Sequence, residues 1–251
     1  MGITRSDTFL SGTSGLVLPF PKYKFPEKFK DRSRLAFYSS LFDSIEINRS
    51  FYILPRAQTL AKWSLEVPEG FRFTFKLWKQ VTHKGSFQSP DVVKFMNAIS
   101  VVGHKKGCLL IQFPASVTST QSDVLYRLLS EIKSQDTGNE WRLAIEFRDR
   151  SWYNEDTFEL IDSFGSTIVI HDKAGVSSSN FNINSNFIYV RFHGPLGNYR
   201  GSYTDDFLNE YAGYVKEWLK EGKQVFVYFN NTMGDAFSNL QTFNRFVEKT
   251  V

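Results

Sequence analysis

Four segments of the chain alternate apolar and polar residues in a way that splits them into two faces: Arg72-Phe73-Thr74-Phe75-Lys76, Ala144-Ile145-Glu146-Phe147-Arg148, Tyr189-Val190-Arg191-Phe192-His193 and Tyr228-Phe229-Asn230. Side chains on a strand alternate with a period of two, so Phe73, Phe75, Ile145, Phe147, Val190, Phe192 and Phe229 share one face. The ionisable groups share the other. Four further segments read as strands, Phe9 to Thr13, Ser44 to Asn48, Gly107 to Phe113 and Thr167 to Asp172, and the first four extend to Phe71–Leu77, Arg142–Arg148, Asn186–His193 and Gln224–Asn230.

Helical spacing fills most of the intervals. Leu35, Tyr38, Leu41 and Phe42 follow the first strand, Val92, Val93, Phe95, Met96 and Ile99 the third, and Val124, Leu125, Leu128, Leu129 and Ile132 form the cleanest apolar stripe. Thr204 reads as an N-cap before Asp205 and Asp206, with Phe207, Leu208, Tyr211, Tyr214, Val215, Trp218 and Leu219 following until Gly222, and a last helix spans roughly Asp235 to Glu248. Eight strands alternating with helices predict an α/β protein, a (β/α)8 TIM barrel forming one domain over residues 1–251. Its sixth βα unit is irregular, because Lys173 to Ser185 is rich in Ser, Asn and Gly and carries no helical period. In such a barrel the polar face of the strands is the interior, opening at the C-terminal strand ends.

Composition supports a folded chain of this size and narrows its partners. Hydrophobic residues make up 41%, with 25 Phe, 11 Tyr and 5 Trp, which promises thick helix-on-sheet packing. Lys plus Arg total 30 against 26 acidic residues, a net charge of +4 without a basic tail, so nucleic acid is permitted as a partner and not indicated. The single cysteine, Cys108, excludes an internal disulfide framework and a cysteine zinc cluster, and its apolar neighbours read as core. No signal-like run and no stretch approaching the ~18 apolar residues of a membrane span is present, so a cytoplasmic protein without a membrane partner is expected.

Strand order predicts depth. Glu46, Lys76, Gln112, Glu146, Arg191 and Asn230 fall in an upper layer, with Asn48, Arg148 and His193 nearer the mouth. Lys76, Arg148, Arg191 and His193 together predict an electropositive floor suited to an anionic small molecule or a phosphate-bearing substrate, with Glu46 and Glu146 as candidates for proton transfer. These six are the candidate catalytic groups. The competing reading is structural: Glu46 with Lys76 and Glu146 with Arg191 as ion pairs filling the interior.

Candidate substrate contacts are Ser14, Asn48, Tyr52, His83, Gln112, Asp172, Tyr199, Asn230 and Asn231, and Trp152 is a further ring in a βα loop. Gly194-Pro195 is a turn signal that predicts exposure of His193, while His171 and Asp172 point to opposite faces if the strand continues through both. The sharper alternative is a metal site for zinc or manganese from Glu146, His171 or Asp172, and His193, acting in phosphodiester cleavage of nucleic acid, although no short ligand motif occurs and Arg148 and Arg191 oppose a dication. A non-catalytic scaffold is the third reading. Nucleotide-binding glycine motifs and a nucleophile elbow are absent from the sequence, so no cofactor is expected.

Ile45-Glu46-Ile47-Asn48-Arg49-Ser50-Phe51-Tyr52, followed by Leu54-Pro55 and Trp63, resembles the YecE-like family, the domain of unknown function numbered seventy-two. Matching segments continue at Gly12-Thr13-Ser14-Gly15, Phe75-Lys76 with Thr82-His83, Gln112-Phe113-Pro114, Glu146-Phe147-Arg148 with Ser151-Trp152, Arg191-Phe192-His193-Gly194, and Tyr228-Phe229-Asn230-Asn231 with Gly234 and Ala236. The resemblance implies a TIM-barrel fold and assigns no activity. The chain departs from the family pattern at Leu16, where the family usually carries Trp, which implies a differently shaped first loop.

Overall fold

A computed structural model describes residues 8–84, 86–173 and 185–248. Among these residues nine short parallel strands form, each starting and ending close to the segments read as strands: β1 (Phe9–Thr13), β2 (Ser44–Ile47), β3 (Arg72–Lys76), β4 (Lys106–Phe113), β5 (Arg142–Phe147), β6 (Thr167–Ile168), β7 (Ile170–His171), β8 (Phe187–Phe192) and β9 (Gln224–Phe229). Between them lie α1 (Arg34–Tyr38), α2 (Arg49–Tyr52), α3 (Ala57–Glu66), α4 (Lys79–Thr82), α5 (Ser89–Ser100), α6 (Ser122–Gln135), α7 (Glu155–Ser163), α8 (Asp205–Lys220) and α9 (Ala236–Glu248).

The strands form two parallel sheets, one ordered β2-β3-β4-β5-β6 and the other β1-β9-β8-β7. The expectation of a closed (β/α)8 barrel is therefore met only in its α/β class and its parallel pairing, since the two ladders do not join into one continuous sheet. Two local features separate them. The sixth strand segment is interrupted at Val169: β6 pairs with β5 and Val169 N donates to Ile145 O at 2.8 Å, whereas β7 pairs with β8. At the other junction, β1 and β2 share a single bridge, Ser14 to Glu46. The segment 174–184, which carries most of the predicted irregular sixth connection, lies outside the described residues.

The two faces of the strands are occupied as the alternation predicts. Phe73, Phe75, Ile145, Phe147, Val190, Phe192 and Phe229 join the large core beneath the helices. A second, separate cluster lies on the opposite face: Leu10, Cys108, Leu110, Ala144, Val169, Phe187, Tyr189, Phe226 and Tyr228. Tyr228 shows that both sheets border this interior, because its hydroxyl on β9 meets Ser44 Oγ on β2 at 2.6 Å and Thr74 Oγ1 on β3 at 2.7 Å. Cys108 is buried here, and desolvation pushes its thiol up and away from the reactive thiolate.

The helices are fixed by local chemistry and by apolar stripes. Thr204 Oγ1 accepts from Phe207 N at 3.3 Å at the start of α8, Asp205 and Asp206 occupy its first turn, and Gly222 adopts φ +80° just past its end. Along α6, Leu125, Leu128, Leu129 and Ile132 are all fully buried, each contributing roughly 1.5–3 kcal/mol relative to exposure. No helix among the described residues is long and apolar enough to cross a membrane.

Candidate functional site

Two residues beyond Tyr189 on the same face of β8, Arg191 stands at the centre of the interior with 1% exposure. Its guanidinium reaches across to strands of the other sheet. Nε donates to Glu46 Oε2 at 2.8 Å and Nη2 to Glu46 Oε1 at 2.6 Å, a two-point fork on β2. Nη2 also meets Ser14 Oγ at 3.2 Å, while Nη1 donates to Glu146 Oε2 on β5 at 3.0 Å and to His193 Nε2 at 3.0 Å. All five N–H bonds of the side chain are therefore used inside the protein.

Glu46 is equally saturated. Besides the arginine fork, Ser14 Oγ donates to Oε1 and the Tyr189 hydroxyl donates to Oε2 at 2.6 Å, filling the roughly four lone-pair positions of a carboxylate. Burial opposes its ionisation, but the charge and hydrogen bonds of Arg191, with those of Ser14 and Tyr189, hold its carboxyl below the ordinary value. Glu146 is held well below it: burial is outweighed by Arg148, Arg191, His193 and His171. The sequence's pairing of Glu146 with Arg191 is found; its pairing of Glu46 with Lys76 is replaced by Glu46 with Arg191.

His193 is fully buried, against the expectation that the following turn exposes it. Gly194 does turn, at φ +99°, but the chain folds back over the ring. A Cβ at Gly194 would stand 2.3 Å from Arg200 O, and Tyr199 N donates to His193 O at 2.6 Å. Since Arg191 and Arg148 Nη2 (3.3 Å) both donate to Nε2, the proton of the neutral ring sits on Nδ1, which faces Asp172 Oδ1 at 3.4 Å. Burial lowers the pKa of His193 despite Asp172, and that of His171 falls to about 4 for the same first reason.

His171 and Asp172 both reach this group, although strict alternation allows one of them. The strand ends at His171, so Asp172 is free of the pleat: its Oδ1 accepts from His193 N at 2.6 Å and its Oδ2 from the Tyr203 hydroxyl. His171 lies edge-on to His193, with ring centroids 5.8 Å apart, and meets the Tyr153 hydroxyl at 3.2 Å.

Two of the predicted cations retain donors. Arg148 pairs with Glu146 through Nη2, but its buried Nη1 has no hydrogen-bond partner among the described residues. Lys76, at the end of β3, makes no ion pair with any described residue, and its ammonium sits 4.1 Å above the Phe51 ring. Burial, then the Arg191 charge, lowers Lys76 to about 8 against the opposing pull of Glu146 and Glu46. The predicted electropositive floor is thus narrower than the sequence suggests, because Glu46 and Glu146 neutralise Arg191 and much of Arg148.

The remaining candidates divide between the site and its supports. Asn48 Nδ2 donates to Ser14 Oγ at 3.1 Å and to Asn230 Oδ1 at 3.4 Å, which places all three beside the Glu46–Arg191 fork. Gln112 is paired in register with Glu146, and its amide donates to Phe113 O at 3.1 Å. Tyr199 packs 5.6 Å from His193 and carries the Lys173 ammonium over its ring. His83 lies against Phe51 at 4.9 Å, whereas Tyr52 is 62% exposed and its ring packs on Phe51 and Lys79. Asn231 is buried and ties Gly201 O and Asn239 Oδ1 together, a loop anchor rather than a contact in the charged group. Trp152 is fully buried under the loop, stacked on Phe147.

Sequence reasoning missed Tyr189, Tyr203 and Phe51. Tyr189 was legible, being two residues before Arg191 on the same face. Tyr203 lies in a loop where no period applies.

Residues 13–251 match the family described as protein of unknown function DUF72. The chain belongs to the DUF72 family. Among its relatives, the UPF0759 protein YunF of Bacillus subtilis strain 168 is 27% identical over 248 residues, covering 86% of both chains. The UPF0759 protein YecE of Escherichia coli K12 is 24% identical over 100 residues, 39% of this chain and 37% of YecE. DUF72 family crystal structures share the fold: one from Enterococcus faecalis V583 (TM-score 0.77, 21% identity, 95% of both chains) and one from Thermotoga maritima MSB8 (TM-score 0.75, 24% identity, 96% of this chain and 99% of that one).

Among the described residues no group of three or more His, Cys, Asp or Glu side chains is arranged to hold a metal ion. The site's titrations make acid the natural stress. His171 and His193 have folded pKa values below the unfolded value of about 6.5, so the unfolded chain binds protons first and stability falls as pH drops below that point. Glu46 and Glu146 contribute stability that is present above the unfolded carboxylate pKa and is lost as pH falls through their lower folded values. Thermal melts across about pH 8 to 4 are expected to show Tm declining from near 6.5 and more steeply below about 4.5. A flat Tm between about pH 7 and 5 contradicts the buried neutral imidazoles.

Proposed function

We propose that this DUF72 protein is a metal-independent enzyme of hydrolase or lyase type, built as a single closed (β/α)8 barrel, which binds a small phosphate- or carboxylate-bearing substrate at the C-terminal ends of its strands. The observation that carries this reading is the distribution of unused donors. Arg191 and Glu46 are saturated by each other with Ser14, Tyr189, Glu146 and His193, while among the described residues Lys76 Nζ has no carboxylate of its own and Arg148 Nη1 no acceptor at the ends of β3 and β5. An anion placed between them supplies the missing acceptors.

In this reading the Glu46–Arg191–Glu146 bridge is the positioning frame, and proton transfer falls to Lys76 instead of the two glutamates. Carboxylates held ionised by arginine are poor proton donors near neutral pH. A lysine at about 8 is roughly a quarter free amine at about pH 7.5, against about 0.1% for an ordinary one, and so serves as base and acid in turn. Arg148 would hold the substrate's anionic group, with Asn48 and Asn230 offering amides beside it. Closure of the barrel is supported by the Ser14–Glu46 bridge and by Tyr228 spanning the interior.

Calorimetric titration with inorganic phosphate and with a panel of sugar phosphates and sugar acids tests the site. Wild type is expected to bind at least one of these with EDTA present, and Arg148→Met to weaken that binding ~10-fold or more, the loss of a charged hydrogen bond. Absence of binding by every anion, or equal binding by Arg148→Met, rejects the proposal.

A further inference from the structure

We infer that Lys76 is an amine nucleophile, and that the substrate of this site is a carbonyl compound with an anionic group, captured as an imine on Nζ while Arg148 holds the anion. The inference rests on the anion-binding reading above and adds a covalent step to it. Three features of the surroundings single out this lysine.

The first is the platform beneath it. Ser50 Oγ shares its one proton between Lys76 O at 2.7 Å and Ile47 O at 2.6 Å, so the start of α2 holds the backbone at the end of β3, and the next residue, Phe51, places its ring 4.1 Å under the ammonium. That ring favours the ammonium, but more weakly than a paired carboxylate does, so burial still lowers Lys76 to about 8 and leaves a free amine accessible. The second is the company of cations. Burial first and then Arg191, with a smaller push from Arg148, act against protonation of Lys76 and outweigh Glu146 and Glu46, and Lys76 has no ion pair with any described residue, the combination that activates lysine nucleophiles. The third is spacing. β3 and β5 are separated only by β4, two strand intervals or roughly 9–10 Å, and the register runs from Lys76 through Leu110 to Ala144, so Arg148 stands about 13 Å further along toward the strand ends, an offset that a ligand held between the two long side chains bridges.

The step balances without a further reactant. The Nζ lone pair adds to the carbonyl carbon and the C=O pair moves onto oxygen. The amine's two protons then leave with that oxygen as water as the C=N bond forms. Once protonated, the imine draws electrons from an adjacent C–H or C–C bond, the chemistry of a lyase. Glu46 and Glu146 keep the neighbouring arginines fixed while charge builds on nitrogen.

Borohydride trapping on the full chain tests it, with pyruvate as a carboxylate-bearing ketone and dihydroxyacetone phosphate as a phosphate-bearing one. Hydride adds to the imine carbon and a solvent proton to nitrogen, leaving a stable secondary amine. Peptide mass spectrometry is expected to find the adduct at Lys76, at least ~10-fold above any other lysine, with inorganic phosphate suppressing it. The labelling rate should rise through about pH 8. Lys76→Arg, checked for an unchanged melting temperature, should lose the adduct, and the probe that labels better separates phosphate from carboxylate substrates. Labelling scattered over surface lysines, or none at Lys76 with either probe, while phosphate still binds, overturns the imine and spares the anion site. Loss of phosphate binding as well overturns both.

Discussion

Arg191→Met is expected to destabilise the protein by roughly 3–5 kcal/mol, the cost of leaving a buried ion network with one sign of charge uncompensated. Glu46 and Glu146 are both fully buried and share this one guanidinium, so its removal takes a cation from two buried carboxylates at once. Glu146 keeps Arg148, whereas Glu46 keeps only the hydroxyls of Ser14 and Tyr189. Arg191→Lys restores the charge but not the fork, because one ammonium cannot reach both Glu46 oxygens, Glu146 and His193 at once. It should recover less than half of the loss.

The pH dependence of that deficit is a sharper test than its size. In the variant Glu46 loses the cation that lowers its pKa, and burial then favours its neutral form, whereas Glu146 keeps Arg148. Glu46 can shed its penalty by taking up a proton, so the gap between wild type and variant should narrow as pH falls from about 7 to 5. Glu46→Gln added to Arg191→Met should recover stability at pH 7 for the same reason. Urea unfolding measures all of these. A deficit below about 1 kcal/mol that does not change with pH would mean that water reaches the interior and screens the pair.

The alternation of Phe and charged residues was sufficient to place Glu46, Lys76, Glu146 and Arg191 on one interior face, because the strand period is a property of the backbone and needs no knowledge of partners. It was insufficient to say who pairs with whom. Lys76 lies on the strand next to that of Glu46, two residues beyond the register partner Thr74, yet Glu46 is taken by Arg191 from the opposite sheet, whose fork offers two bonds where an ammonium offers one. Register within a strand is local information, whereas distance across an interior is set by how the sheets face each other.

The same limit explains the errors at strand ends. His171 obeys the pleat and Asp172, one residue later, does not, because the ladder that enforces the period has stopped. Gly194-Pro195 was correctly a turn, but a turn signal gives the change of direction and not the cover that the returning chain provides over His193. The barrel expectation followed from counting eight segments, and a count carries no sign that the sixth divides its pairing at Val169. Trp152 illustrates the loop problem most clearly, since a ring after a strand is equally compatible with a ligand platform and with a plug.

Trp152→Ala should cost about 3–5 kcal/mol, the range for removing a large buried aromatic whose space cannot collapse. The indole is fully buried, stacks on Phe147 with ring centroids 4.5 Å apart and planes 7° from parallel, and extends the stack to Phe113. Its Nε1 donates to Val117 O at 2.7 Å, tying the segment after β5 to the one after β4. Trp152→Phe preserves much of the stack and leaves that carbonyl unsatisfied, so it should cost nearer 1–2 kcal/mol, separating packing from hydrogen bonding. Arg148 follows Phe147 directly, and the aromatic plug beneath that residue fixes the point from which the guanidinium leaves the strand. Phosphate affinity in Trp152→Phe is therefore expected to stay near wild type, while Trp152→Ala weakens it along with stability. A Trp152→Ala protein that unfolds at the wild-type urea midpoint would mean that the ring sits on the surface, free to meet a ligand.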